Sequence, residues 1–130
     1  MRSLLSILAI LIFAGSTDAS LAQDAAGGER VFRQSCLPCH DVGPEARVKL
    51  GPPLNGIAGR KAGTWDGYNY TEANKSSGIV WSDQAFADYI RAPMQAMPGT
   101  RMAFAGLKND KDVSDLWAYL KQFGPDGQKK

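Results

Sequence analysis

The segment Cys36-Leu37-Pro38-Cys39-His40 constrains this chain more than any other stretch. It reads C-x-x-C-H, the spacing at which a c-type haem is attached. Two thiols three residues apart, on one turn of backbone, can each form a thioether to a haem vinyl group. His40 is then held close enough to put an imidazole nitrogen on the iron. Other uses of the pattern fit less well. A structural zinc site takes four ligands, and a catalytic one three plus water. The chain has two Cys and one His in all, and no acidic residue inside the motif. A redox C-x-x-C needs no His and expects a βαβ context, which this sequence does not offer.

The length, 130 residues, points to one domain behind a leader. Met1-Arg2-Ser3 is a short basic start, Leu4 to Phe13 is apolar apart from Ser6, and Ser20-Leu21-Ala22 supplies small residues for a signal peptidase. Residues 1–22 therefore read as a secretory signal peptide and 23–130 as the mature domain, exported to the periplasm. The apolar run is short against the roughly 20 residues of a membrane span. Cleavage after Ala22 is favoured over an uncleaved anchor, and no stable membrane insertion is expected. Cleavage removes one cation, Arg2, and one anion, Asp18, so the net charge stays at +2. That is no footprint for nucleic acid, which needs a concentrated basic face. Exported chains commonly carry disulfides, but thioethers would consume both cysteines here, so none is expected.

Asp24 is a candidate N-cap, and a helix is expected from about Ala25 into the C-x-x-C-H motif. Gly28 and Phe32 share a face of it, the small residue admitting another helix. Between Gly43 and Gly67, glycines and prolines break every candidate helix and no alternating apolar run suggests a strand. A loop this long is unusual in a compact domain. A buried haem would give it an apolar surface to wrap, which is evidence for the cofactor independent of the cysteines. Thr71 can cap a brief turn through Lys75. Ser82 can cap a helix through Arg91, ended by Pro93. Asn109 can cap a last helix with Val113, Leu116, Trp117, Leu120 and Phe123 near the helical period, stopped by Gly124-Pro125. The tail, Asp126 to Lys130, is polar and expected to fray.

Iron in a haem has a second axial position. No second His exists and the thiols are spent, leaving Met, Lys, Tyr or an open site. Met94, Met97 and Met102 are equivalent on composition, and each can serve as a flexible core filler. Met102 has the best local context. It follows the turn-forming Pro98-Gly99-Thr100-Arg101, and Phe104, two residues on, can cover the same haem edge.

Beyond Cys36-Leu37-Pro38-Cys39-His40 the chain carries Gly51-Pro52-Pro53-Leu54, Gly59-Arg60-Lys61, Tyr68-Asn69-Tyr70-Thr71-Glu72-Ala73-Asn74-Lys75 and Gly78-Ile79-Val80-Trp81. Pro98-Gly99-Thr100-Arg101-Met102-Ala103-Phe104-Ala105-Gly106 and Leu116-Trp117-Ala118-Tyr119-Leu120 follow in the same order. In this the sequence resembles the class I cytochromes c, in particular the group of mitochondrial cytochrome c and its close bacterial relatives, over about residues 28–122. The resemblance implies a small all-α fold, three main helices plus short ones and long loops wrapped around one covalent haem c. It implies Met102 as distal iron ligand opposite His40, and Pro52 as the carbonyl that accepts a hydrogen bond from the proximal imidazole. Tyr70 and Trp81 match the pair that hydrogen-bonds a propionate, with Arg60 the nearby positive charge. Tyr89 matches the tyrosine beside the Met sulfur, Asn74 and Thr100 polar residues of the same network, and Gly28, Phe32, Leu116 and Tyr119 the contact between first and last helices.

The implied function is a monomeric periplasmic electron carrier, not an enzyme. Its partners would be redox complexes: a cytochrome bc-type reductase, a terminal oxidase, a photosynthetic reaction centre or a periplasmic dehydrogenase. The rival is a haem enzyme, a peroxidase or nitric-oxide-handling protein with a labile sixth ligand, which would need Met102 to leave and a distal base that the single-His chain lacks. One departure from the pattern concerns partners. Mitochondrial members ring the exposed haem edge with lysines, whereas here Met94 and Gln95 follow Pro93, Asn109 and Asp110 follow Lys108, and Ser35 precedes Cys36. Arg47, Lys49 and Arg101 remain, so steering of acidic partners should be weaker and less salt-sensitive.

Overall fold

A computed structural model describes residues 23–130. The proposed signal peptide lies outside the described residues. The first helix, α1, spans Ala25–Val31 and runs on as a π-helical turn, Phe32–Cys36. The remaining helices are α2 (Glu72–Ser76), α3 (Asp83–Arg91), α4 (Pro93–Ala96) and α5 (Asp110–Lys121). No strand occurs among the described residues; two isolated antiparallel bridges, Lys61 to Val80 and Phe123 to Lys129, are the only β pairing. No described helix is long and apolar enough to cross a membrane.

Four of the five helices, α1, α2, α3 and α5, begin where the sequence supplies a side-chain acceptor for the orphan amides of a first turn. Asp24 accepts from Ala26 N, Thr71 from Asn74 N, Ser82 from Ala85 N, and Asn109 from both Lys111 N and Asp112 N. The α4 helix has no side-chain cap and starts with Pro93 at its first turn. The residue expected only to end α3 therefore also opens the next helix, because its fixed φ and missing N–H suit that position.

The core is built where α1 crosses α5. A Cβ on Gly28 would overlap the carbonyl oxygen of Asp115 and lie 2.7 Å from Tyr119 Cβ, so only glycine lets the backbones approach this closely. Phe32 fills the adjoining space against Tyr119, ring centroids 5.6 Å apart, and Tyr119 in turn meets Phe123 at 5.2 Å. On the other side of α5, Trp117 stacks on Phe86 of α3 at 4.5 Å, and its Nε1 donates to Asp83 Oδ1 at 2.6 Å. Leu116 and Leu120, each 1 % exposed, face inward. Burial of that extent contributes about 1.5–3 kcal/mol per side chain.

Asp115 is a buried carboxylate on this crossing, 2 % exposed. Its Oδ1 accepts the Asp24 amide at 2.9 Å and its Oδ2 the Lys111 ammonium at 2.6 Å. Burial pushes the Asp115 carboxyl up, but the Lys111 and Asp24 donors outweigh it and hold the group below the ordinary 3.8. A carboxylate depressed in the folded state stabilises above the unfolded value, and that stability is lost as pH falls through the folded one. Asp115→Asn is therefore expected to unfold at lower urea than the parent at pH 7. The gap should close as pH drops below about 3.8. A constant gap from pH 7 to pH 2.5 in paired urea titrations would contradict the assignment.

The polar tail does not fray as expected. Gly124 N donates to Gln128 O and Lys130 N to Gln122 O, both at 2.9 Å. Gly127 is seated so tightly against the Gly43 carbonyl that any side chain there would collide with it. Backbone pairing holds a segment whose composition contributes little to the core.

Candidate functional site

The loops between α1 and α2 and between α4 and α5 enclose a cavity of about 470 Å³, within the roughly 300–1,000 Å³ of sites that bury small molecules and cofactors. Its wall includes the apolar side chains of Leu54, Ile57, Phe86, Ile90, Leu116 and Leu120. Every residue singled out as a site residue from the sequence also lines it.

Cys36 ends the π-helical turn, in which Leu37 N bonds back to Phe32 O at 2.9 Å, and His40 N bonds to Cys36 O at 2.8 Å. These bonds curl residues 36–40 into one tight turn, and Cys36, Cys39 and His40 all line the cavity. Burial, with a smaller contribution from Cys39, pushes the Cys36 thiol up to about 12, so it stays protonated at neutral pH. Across the loop, the Pro52 carbonyl lies 2.7 Å from His40 Nδ1. A carbonyl only accepts, so Nδ1 carries the proton and Nε2 keeps its lone pair. Burial lowers the His40 pKa, the Pro52 bond opposes that, and the Arg60 and Lys49 charges add to the lowering. The imidazole is thus neutral, a state suited to binding a metal. Gly51 makes this possible, since a Cβ there would overlap the His40 ring. Sequence reading gave Gly51 no role; the signal was a residue without a side chain next to the proline that orients the ring.

Of the three methionines in question, Met102 alone lines the cavity. Met97 is core, 3 % exposed, and Met94 is 55 % exposed on the surface. Met102 sits in a loop held at its far end by Leu107 N to Ile90 O, 2.9 Å, and by Lys108 Nζ to Arg91 O, 2.5 Å. Gly106, at φ 96°, turns that end in the left-handed region, where a side chain would also overlap the Arg91 carbonyl. Tyr89 Oη donates to Met102 Sδ at 3.4 Å, with Thr100 Oγ1 3.4 Å from the same hydroxyl, and Met102 N donates to Thr100 Oγ1 at 3.3 Å. One arrangement satisfies all three groups. The Thr100 hydroxyl gives its proton to Tyr89, and Tyr89 gives its own to the sulfur. Burial raises the Tyr89 pKa and the Thr100 bond lowers it, in keeping with Thr100 as the donor. Asn74 lines the cavity, but among the described residues its side-chain amide bonds to none of these three. Phe104 lines it as well, two residues beyond the sulfur.

A polar corner completes the wall. Tyr70 Oη accepts the Trp65 amide at 3.1 Å. Among the described residues no protein acceptor takes the Tyr70 hydroxyl proton or the Trp81 indole N–H. Arg60 is half-buried and donates to the carbonyls of Asn55, 2.8 Å, and Pro53, 3.2 Å, with its guanidinium 5.0 Å from the Trp65 ring centroid. It has no carboxylate partner among the described residues. Burial lowers its pKa, and Tyr70 partly offsets this. Two spare donors and an uncompensated cation suit an anionic group.

A family model for cytochrome c matches residues 25–124. A cytochrome c2 of Blastochloris viridis is 52% identical over 124 residues, which cover 95% of this chain and 97% of the relative. A cytochrome c2 of Rhodoplanes tepidamans is 57% identical over 108 residues, 83% of this chain and all of the relative. A cytochrome c of Gibberella zeae is 47% identical over 98 residues, 75% of this chain and 92% of the relative.

The chain belongs to the cytochrome c family. It is an electron-transfer haem c protein with the small, helical class I fold. The cavity fits the covalent haem c, with its iron, that a cytochrome c carries. Thiols and a neutral imidazole share one turn, a thioether sulfur is aimed by a tyrosine, the wall is apolar, and the spare donors around Arg60 suit carboxylates.

Proposed function

We propose that this cytochrome c is a soluble, monomeric periplasmic carrier that shuttles single electrons between redox complexes. Cys36 and Cys39 would hold the haem by thioethers, and His40 and Met102 would ligate its iron. The observation that carries this reading is the Tyr89–Met102 contact, which directs the one cavity-lining thioether of the three that composition left open. When bound, the haem would supply an iron that takes up and gives back one electron.

The protein's part is to make that change easy. Pro52 fixes the His40 ring and raises the basicity of Nε2. A soft thioether and an apolar wall both favour the lower-charged ferrous state and raise the potential. Tyr70, Trp81 and Arg60 would hold the propionates and offset their charge. The chain's one His is occupied, so no distal base serves peroxide chemistry.

The partners are redox complexes drawn from a cytochrome bc-type reductase, a terminal oxidase, a photosynthetic reaction centre and a periplasmic dehydrogenase. Residues 92–107 carry a single charged side chain, Arg101, and present the exposed Met94. Docking near Met94 and Phe104 accordingly relies on apolar contact more than on steering. Two measurements test the reading. Oxidised and reduced spectra should be low-spin, with the weak far-red sulfur-to-iron band when oxidised, and unmoved by carbon monoxide. Association with a reductase should slow by less than about tenfold between low and moderate salt. An immediate shift with carbon monoxide would mean an open iron; a fall in rate of orders of magnitude would mean lysine-type steering.

A further inference from the structure

Residues 47–52 fold back over the Cys36–His40 turn. Gly51 N donates to Cys39 O at 2.8 Å, Lys49 N to Gly51 O at 3.0 Å, and Leu54 N to Asp41 O at 2.9 Å. Within this return the Lys49 side chain turns inward. Its Nζ donates to the Leu37 carbonyl at 2.9 Å and stands 3.7 Å from Asp41 Oδ1. The other Asp41 oxygen accepts the Arg47 amide at 3.3 Å. Leu37 lies between the two cysteines and Asp41 directly follows His40. Among the described residues, no other side chain donates to a backbone carbonyl of residues 36–40. The Lys49 side chain keeps only 35 % of its surface exposed and Asp41 26 %, so water and salt screen the pair less than they would free surface charges.

We propose that Lys49 is a positioning residue for the redox centre, its ammonium group stapling the Cys36–His40 turn through the Leu37 carbonyl while its charge, offset by Asp41, biases the bound haem toward the reduced state. The inference rests on the reading of the cavity as the haem site. By pattern alone Lys49 counts among the cations left to draw acidic partners. The geometry commits its head group to the protein's own backbone. Oxidation adds one positive charge at the centre, and a cation fixed beside the attachment turn opposes that addition. A carboxylate at the same place assists it. Lys49 and Asp41 thus pull the potential in opposite directions, and the staple holds them in register with the turn.

The test is a redox titration of the haem-loaded protein and of Lys49→Gln, Lys49→Arg and Asp41→Asn, with intact mass to report thioether attachment. At the parent's midpoint, Lys49→Gln should lower the ratio of reduced to oxidised protein by about twofold or more. Asp41→Asn should raise the ratio, and Lys49→Arg should restore the parent value. If Lys49→Gln fails to retain haem, Asp41→Asn decides: a raised midpoint supports the proposal and an unchanged one overturns it. Coincident midpoints with slower, salt-dependent partner association in Lys49→Gln would make Lys49 a docking lysine and overturn the proposal. Attached haem with coincident midpoints overturns this inference alone. A parent without attached haem would overturn the reading of the site, and this inference with it.

Discussion

Met102→Ala is expected to leave the haem attached through Cys36 and Cys39, to lower the midpoint potential by on the order of 100 mV and to let carbon monoxide bind at once. Axial ligands set haem potentials over a range of roughly 0.8 V, and loss of a soft thioether removes a ligand that favours the ferrous ion. The substitution also takes the acceptor from Tyr89 Oη, which sits 3.4 Å from the sulfur, and leaves room for water. The other methionines provide the controls. Met94→Ala, at a position 55 % exposed, should change neither spectrum nor stability. Met97 is 3 % exposed and makes no part of the cavity wall. Its replacement by alanine should cost about 2–5 kcal/mol of stability yet leave the far-red band in place. A carbon monoxide complex in Met97→Ala, with Met102→Ala inert, would reverse the ligand assignment.

Gly28→Ala should destabilise the protein by at least about 2 kcal/mol and lower its thermal midpoint by roughly 10 °C. Helix propensity alone argues the opposite, because alanine is better than glycine in a helix interior by about 1 kcal/mol. Packing decides the sign. The added methyl would overlap the Asp115 carbonyl oxygen, with Tyr119 Cβ 2.7 Å away. A backbone carbonyl inside α5 cannot swing aside, so the helices must separate and uncover Phe32, Leu116 and Leu120, none more than 3 % exposed. A calorimetric scan in which Gly28→Ala melts at or above the parent temperature would mean that the two helices do not meet there.

Much of this was legible before any coordinates. The caps at Asp24, Thr71, Ser82 and Asn109 are local chemistry: each is a short polar side chain just ahead of a helical run, and each makes its bond. The attachment motif is likewise local. The choice of Met102 is of another kind. Its thioether is chemically the same as those of Met94 and Met97, and what separates them is the path of the loop between α4 and α5 and the reach of Tyr89. Composition could not make that choice; the turn-forming run before Met102 favoured it and the resemblance implied it. Other features escaped because their partners are remote in sequence. Asp115 looks like a solvated helix residue until Asp24 N, 91 positions away, is found on its carboxylate. Gly51 looks like loop punctuation until the His40 ring is found where its side chain would be. The tail looks disordered because its pairing is backbone to backbone, to which side-chain composition is blind. The propionate roles proposed for Tyr70, Trp81 and Arg60 rest on donors and a cation that have no matching partner among the described residues at one corner of the cavity.

The crossing of α1 and α5 joins the first described helix to the last, and so sets when the chain can close. Until Asp110–Lys121 has been delivered, α1 has no surface against which to bury Phe32, and the turn that follows it has no lid. Cys36 is 8 % exposed once the chain has closed, so its access is expected to be greatest before α5 docks. With Cys36 and Cys39 as the attachment points proposed above, chain order gives their ligation a window that closes when α5 docks on α1. A circular permutant that places α5 ahead of α1 would shorten that window.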